Sequence, residues 1–481
     1  MHLSLVFRIL GLFAILFSVT LLAPICVVWI FQEPTVKPYL QPLLGSLALG
    51  AALFAAGFRR GHRLGVREGF LIVTLFWVLV SFLGAWPFVL GLKLEMIDAL
   101  FESASGFTTT GATVIVDLDQ LPRSLLFYRQ EIQWLGGMGV VVLGLAVMPV
   151  LGIGGMQLYR AEVPGPMKDE KLKPRLVQTA RSLWLIYLLL TIGCALSYWA
   201  AGMGLFDAIA HSLSTVSTGG FSTHDESLGY FNNEVIELVA VVFMLLAAIN
   251  FSVHFLVWIK RDPRFYVRDS EVRAFLLFVL GTVILVGLLL WVEDHQSGLH
   301  LSLRDAAFEV VSLVTSTGFG IVDYSHWPDF LPILLMVISF VGGCGGSTAG
   351  GIKVIRVMLL WKQGWQELQR LLHPHAILNV RLGHRVVDAT VIQAVWGYFA
   401  LYVTVFVLLA LLMIHAGLDP ISAFAAVATS INNLGPGLGQ VAYHFADVSD
   451  SGKLVAVIAM ILGRLEIFTI LVMLSPDFWR R

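Results

Sequence analysis

The stretch DALFESASGFTTTGAT, Asp98 to Thr113, recurs in outline three more times: DAIAHSLSTVSTGGFS from Asp207, DAAFEVVSLVTSTGFG from Asp305 and SAFAAVATSINNLGPG from Ser422. Three copies open on Asp-Ala and the fourth on Ser-Ala. Asp and Ser are good helix N-caps, so each copy is expected to start a short helix at Asp98, Asp207, Asp305 and Ser422. A glycine closes each: Gly111, Gly219, Gly318 and Gly435 lie 13, 12, 13 and 13 residues after those caps. Such self-similarity marks a repeated structural unit. Each copy offers roughly a dozen residues of helix, about 18 Å, too short to cross an apolar layer of about 30 Å.

What surrounds these segments explains them. Ten stretches are apolar and long enough to cross a bilayer, which takes about 20 residues each. They lie near 5–31, 37–58, 69–92, 125–150, 182–203, 233–259, 273–293, 330–361, 389–416 and 453–475, the eighth being interrupted. With 57% hydrophobic and 13% charged residues, the chain is too apolar for a water-soluble fold of its size. The first stretch exceeds a signal-peptide core and is expected to be retained as a span. Cys26, Cys194 and Cys344 are too scattered for a disulfide framework or a zinc site.

Each half-polar segment sits between two of the last eight spans, so it must enter and leave on one side. Lysine and arginine bias agrees. Twenty-four of them share the side of the termini: Arg8, the groups Arg59–Arg67, Arg160–Arg181, Lys260–Arg273 and Lys353–Arg385, then Arg480 and Arg481. Only Lys37, Lys93, Arg123, Arg129, Arg304 and Lys453 fall opposite, so both termini are expected in the cytoplasm. Acids such as Asp119, Asp225, Glu226 and Asp323 gather on the other face, which adds a weak attraction for cations.

Non-helical backbone at membrane depth survives only when buried in protein or lining water. Glycine permits angles that turn successive carbonyls the same way. Four copies around one axis would stack rings of four oxygens, able to replace the hydration shell of a cation. Four helix C-termini would point their partial negative charge at the same place. Small and hydroxylated residues also serve close helix packing, but four matched copies between paired spans favour a pathway. The fold class is therefore an all-α polytopic membrane protein: four span–pore-loop–span repeats with pseudo-fourfold symmetry, plus two extra N-terminal helices. The divisions are two N-terminal helices (1–66), pore repeat 1 (67–156), a cytoplasmic loop with pore repeat 2 (157–262), pore repeat 3 with its interrupted span (263–376) and pore repeat 4 (377–481).

These repeats resemble the Trk/Ktr/HKT superfamily of cation transporters, and within it the TrkH/TrkG branch of the bacterial Trk system. The motifs AEVPGPMKDEKLKPR from Ala161, NNLGPGLG from Asn432, GRLEIFT from Gly463 and the terminal PDFWRR carry that resemblance, as do the two extra N-terminal spans. It implies potassium uptake across the bacterial inner membrane. By resemblance the filter that holds the ion comprises Thr109, Thr110 and Gly111; Ser217, Thr218 and Gly219; Ser316, Thr317 and Gly318; Asn433, Leu434 and Gly435. Glycine in all four implies a preference for potassium over sodium. Pro436 stands where the third copy has Phe319, so the symmetry is expected to be imperfect.

The eighth span is interrupted by GGCGGSTAGGIK, Gly342 to Lys353. So much glycine cannot hold an unsupported helix, each one costing about 1 kcal/mol against alanine. A flexible loop is expected here, beneath the third filter; a kinked, closely packed span is the alternative. The resemblance makes Gly342, Gly343, Cys344, Gly345, Gly346, Ser347, Thr348, Ala349, Gly350 and Gly351 a gate, with Ala349 where another glycine is expected. Arg464 falls inside the last span, where a charge costs roughly 2.5–3.5 kcal/mol. It is either tied to helix-end carbonyls or a buried acid, or, as the resemblance implies, an electrostatic barrier in the pore. Glu466 is not an obvious partner for it, and Asn250 and His254 are expected to hydrogen-bond between helices.

The chain carries no nucleotide motif in a βαβ context. The resemblance implies a homodimer and a cytosolic TrkA-type ring binding NAD(H) and ATP or ADP, docked on loops 157–181, 260–273 and 362–388. An intramembrane enzyme is the alternative of another class, but no catalytic set emerges. A proton- or sodium-coupled carrier is the nearer rival; carriers usually show inverted repeats and mid-depth carboxylates, whereas these repeats run parallel.

Overall fold

The computed structural model describes residues 3–57, 65–151, 172–293, 298–328, 330–376, 378–383 and 385–480. Helices occupy all ten apolar stretches. Among the described residues, six are long and apolar enough to cross a membrane alone: Leu3–Ile30, Lys37–Ala56, Arg67–Leu92, Ala180–Ala200, Ser270–Glu293 and Ala389–His415. Arg123–Leu151 supplies the fourth span. Among the described residues the regular structure is helical apart from a two-residue antiparallel ladder, Arg381–Leu382 with Arg385–Val386, between the third and fourth repeats. Arg59, Arg60, Arg63, Arg160, Lys168, most of the Ala161 motif and most of the 157–181 loop lie outside the described residues.

Among the described residues three spans are broken, whereas the sequence points to a break only in the eighth. In the sixth, Glu234–Ala248 meets Phe251–Lys260 at 94°. Asn250 caps the second half by accepting from Ser252 N at 2.8 Å. His254 hydrogen-bonds the carbonyl of Leu246, beside the break, at 2.9 Å and the Tyr266 hydroxyl at 2.7 Å. His254 thus bonds between helices as expected, whereas the Asn250 bond to Ser252 caps its own helix. In the tenth, Asp450–Arg464 meets Phe468–Leu474 at 109°. Arg464 therefore ends a helix rather than sitting within one. Glu466 and Ile467 make the corner, both at φ +55°. In the eighth, Phe330–Ser339 gives way to non-helical chain until Val354–Leu372.

The four short segments form pore helices: Met96–Phe107, Leu205–Ser217, Leu299–Val314 and Pro420–Ile431, with 12, 13, 16 and 12 residues. Their starts differ from the expected caps. Asp98 and Asp207 stand in the first turn, where they still complement the helix dipole. Asp305 stands further in, because Leu299–Arg304 continues the helix backwards. The fourth helix is capped by Asp419, which accepts from Ile421 N and Ser422 N.

Ion pairs near the pore-helix starts join neighbouring repeats. Asp98 of the first pairs with Lys453 of the fourth at 2.6 Å. Arg304 of the third donates to Glu237 of the second at 2.7 Å. Lys453 is buried, so it serves packing and not a loop surface. The N-terminal helices lean on the first repeat through Tyr39, whose hydroxyl meets that of Ser124 at 2.9 Å.

Candidate functional site

Every pore helix ends in the same way. Eleven residues after Asp98, Asp207, Asp305 and Ser422, within two residues of the helix end, the chain adopts left-handed angles, at Thr109, Thr218, Ser316 and Asn433 with φ of 56°, 51°, 52° and 52°. The next N–H reaches back five residues: Thr110 to Ser105 O at 2.8 Å, Gly219 to Ser214 O at 2.9 Å, Thr317 to Ser312 O at 2.8 Å and Leu434 to Thr429 O at 2.8 Å. Then a glycine takes positive φ again: Gly111 at 81°, Gly220 at 80°, Gly318 at 82° and Gly435 at 99°. Alternating handedness along three residues turns carbonyls that an ordinary strand would point to opposite sides.

This register corrects the second copy. The structural counterpart of Gly111 is Gly220, not Gly219, and the matching triplet is Thr218, Gly219 and Gly220. Ser217 is still the last helical residue. Counted to Gly220, the interval from Asp207 becomes 13, as in the other three copies. The Ser-Thr-Gly shared with the third copy had hidden a second adjacent glycine.

The four hairpins close a ring in chain order. A Cβ on Gly111 would lie 2.1 Å from Gly219 O, one on Gly220 2.0 Å from Thr317 O, one on Gly318 2.1 Å from Leu434 O, and one on Gly435 2.7 Å from Thr110 O. The ring opens on one side into a cavity of about 350 Å³ lined by Gly111, Gly220, Gly318 and Gly435, with Glu309, Asp225 and Asp323 among the acids around it.

Side chains behind the ring brace it, and sequence reasoning missed them. Glu102 accepts from Val114 N at 3.0 Å and pairs with Arg129 Nε at 2.8 Å. Arg129 continues to Ser222 O at 3.1 Å and lies over the Phe221 ring at 4.2 Å, joining the first hairpin to the second. Glu309 accepts from Ile321 N at 2.9 Å, and His211 meets the Ser222 hydroxyl at 2.9 Å. Glu102, His211 and Glu309 each sit four residues after an aligned Asp; that register is the signal that could have found them. Ala426 holds the fourth such place, and there Ser422 Oγ accepts from Gln440 N at 2.9 Å instead. Gln133 adds a brace to the second hairpin alone: its amide donates to Gly219 O at 2.6 Å and accepts from Ser214 Oγ at 2.7 Å and Phe221 N at 3.1 Å.

On the side away from the cavity, residues 342–353 fold against the ring. The sequence suggests slack chain; the structure holds an ordered one. Cys344 N donates to Ala248 O at 2.9 Å, Gly345 N to Glu271 at 2.7 Å, Phe251 N to Gly346 O at 3.1 Å and Gly350 N to Ser316 Oγ at 2.5 Å. Gly342, Gly346 and Gly351 take φ of 70°, 71° and 79°, which favour glycine. Ala349 has ordinary angles, so its side chain strains nothing. Arg464 donates to Thr348 O and Gly136 O, each at 3.1 Å. It thus touches the loop and a helix carbonyl at once, while Glu466 pairs with the buried Arg356 at 2.6 Å.

Paired spans around re-entrant hairpins that close a ring define a polytopic pore-loop membrane protein. The family model for TrkH, a cation transport protein, matches residues 39–481. The chain is 49% identical over 480 residues to the Trk system potassium uptake protein TrkH of Vibrio parahaemolyticus, covering 99% of each. It is 43% identical over 481 residues to the Trk system potassium uptake protein TrkG of Escherichia coli, covering 100% of this chain and 99% of that one. The crystal structure of the potassium transporter TrkH from Vibrio parahaemolyticus superposes with a TM-score of 0.92 at 46% identity, over 100% of both chains. The chain belongs to the TrkH family of cation transport proteins. Membership of a transport family sets aside the intramembrane-enzyme alternative.

Proposed function

We propose that this protein takes up potassium across the bacterial inner membrane, with both termini in the cytoplasm. The ion sheds water and is held by backbone oxygens of Thr109–Gly111, Thr218–Gly220, Ser316–Gly318 and Asn433–Gly435. The observation that carries this reading is the closed ring of four hairpins, each alternating in handedness around one axis. Relatives named as potassium uptake proteins support the choice of ion. Flow is passive and channel-like, driven by about 2.3 kcal/mol per charge for each 100 mV.

Residues 342–351 act as the gate beneath the filter, and Arg464 as a positive barrier tied to it. The protein works as a homodimer, regulated by a cytosolic TrkA-type ring that carries NAD(H) and ATP or ADP. The basic loops 157–181, 260–273 and 362–388 receive that ring. Rubidium uptake into vesicles holding the chain tests the reading, measured with and without the cytosolic ring and a proton gradient. Uptake that follows membrane voltage and ignores the proton gradient supports a channel. Uptake that requires the proton or a sodium gradient makes it a coupled carrier, and no uptake under any condition refutes transport.

A further inference from the structure

Thr109, Thr218, Ser316 and Asn433 share a left-handed backbone position that glycine would occupy without strain. Asparagine tolerates such angles; serine and β-branched threonine do so at a cost. Non-glycine residues persist in strained positions where their side chains have work to do. Two of these side chains reach the glycine-rich loop. Ser316 donates its own proton to Thr315 O at 2.7 Å, leaving its oxygen to accept from Gly350 N at 2.5 Å. Thr218 Oγ1 meets Thr348 Oγ1 at 3.3 Å, and the Thr348 hydroxyl also lies 3.3 Å from Val216 O and 3.2 Å from Ala247 O. Gly350 is wedged against the fourth hairpin, where a Cβ would lie 1.9 Å from Asn432 O. The loop is therefore seated on three of the four hairpins and hydrogen-bonded to two of them through side chains.

We infer that Ser316 and Thr218 are positioning residues that tie loop 342–353 to the ring, so that ring and loop rearrange as one unit. This rests on the reading of the ring as a filter and the loop as its gate. Opening the loop must break the Gly350–Ser316 bond and free the lower end of the third hairpin. Reciprocally, by linkage, whatever steadies the hairpin favours the closed loop. The strain at Ser316 is the cost of placing a hydroxyl where the loop can use it.

The test uses the full chain in vesicles. Ser316→Gly removes the hydroxyl and leaves the left-handed angles available; Thr348→Val removes the hydroxyl on the loop side and keeps the shape. Unstimulated rubidium flux is expected to rise about fivefold in Ser316→Gly, the worth of one hydrogen bond, and to return toward the parent in Ser316→Thr. A second readout does not depend on flux: Cys344, buried in the loop, should react faster with a thiol reagent in both variants, on a Cys26→Ser, Cys194→Ala background. Parent-like flux and parent-like Cys344 labelling in both variants overturn the tie. So does a rise in Ser316→Gly that threonine does not reverse, because backbone strain and not the hydroxyl would then be responsible. If the parent carries no rubidium while labelling still rises, the transport reading fails and the tie stands.

Discussion

At Gly111 two independent constraints meet. Its φ of 81° is unfavourable for any L side chain, and a Cβ would stand 2.1 Å from the carbonyl oxygen of Gly219. Gly111→Ser is therefore expected to push the first and second hairpins apart and widen the ring. Potassium-over-sodium discrimination should fall by roughly tenfold, equivalent to about 1.4 kcal/mol, as read from competing cation fluxes. Arg464 makes a different kind of contribution, because its guanidinium stands at the loop with carbonyls from two elements around it. Arg464→Ala should raise rubidium flux several-fold in a folded protein, and unchanged flux would leave Arg464 a purely structural tie. Individual residues were unevenly legible. The glycines of copies one, three and four stand out by spacing, whereas in copy two Gly219 fits the Ser-Thr-Gly of copy three and Gly220 fits the 13-residue interval, and only the backbone angle decides between them. Glu102, His211, Glu309 and Gln133 look like ordinary polar positions because their partners, three backbone groups and the Ser222 hydroxyl, lie eleven or more residues away along the chain.

At the scale of elements, the first repeat's second span forms one helix, and those of the other three repeats are broken. Glycine announced one of these breaks. The break at Asn250 carries only a capping residue as its mark, and the corner at Glu466–Ile467 has no glycine at all. Hydropathy averages over a window as long as the span and is blind to a bend within it. The loop 342–353 shows the opposite error: composition suggests slack, yet its bonds run to Ala248, Glu271, Ser316 and Arg464. Glycine there serves close approach as much as freedom, since a Cβ on Gly342 would meet Gly350 O at 2.2 Å. Deleting Gly345–Ala349 removes the contacts to Glu271 and Arg464 together. It should raise unstimulated flux more than Arg464→Ala does; flux at the parent level would demote the loop to a packing kink.

For the whole molecule, the repeats were legible because identical hairpins recur, while the ties that lock them together were not. Those ties are pairwise and specific: Asp98 to Lys453, Glu237 to Arg304, and His224 to Asp119 across the first two repeats. His224 also faces Asp207 at 3.7 Å and stacks on Tyr230 with ring centroids 3.5 Å apart. Burial pulls the imidazole's pKa down, but hydrogen bonds and charge from Asp207 and Asp119 outweigh it and hold the pKa above its ordinary 6.5. Its contribution to stability is thus complete below about pH 6.5 and is lost as pH rises through the raised value. Thermal melts of the solubilised protein should show a midpoint that declines over that window, and His224→Gln should flatten the decline.

The transport reading depends on the ring being an ion site. Diffraction from crystals grown in rubidium, at the metal's absorption edge, tests that most directly. The account predicts anomalous density on the axis shared by the four hairpins, within coordinating reach of the oxygens of Thr110, Gly219, Thr317 and Leu434. Rubidium bound elsewhere in the protein, with that axis empty, would contradict it.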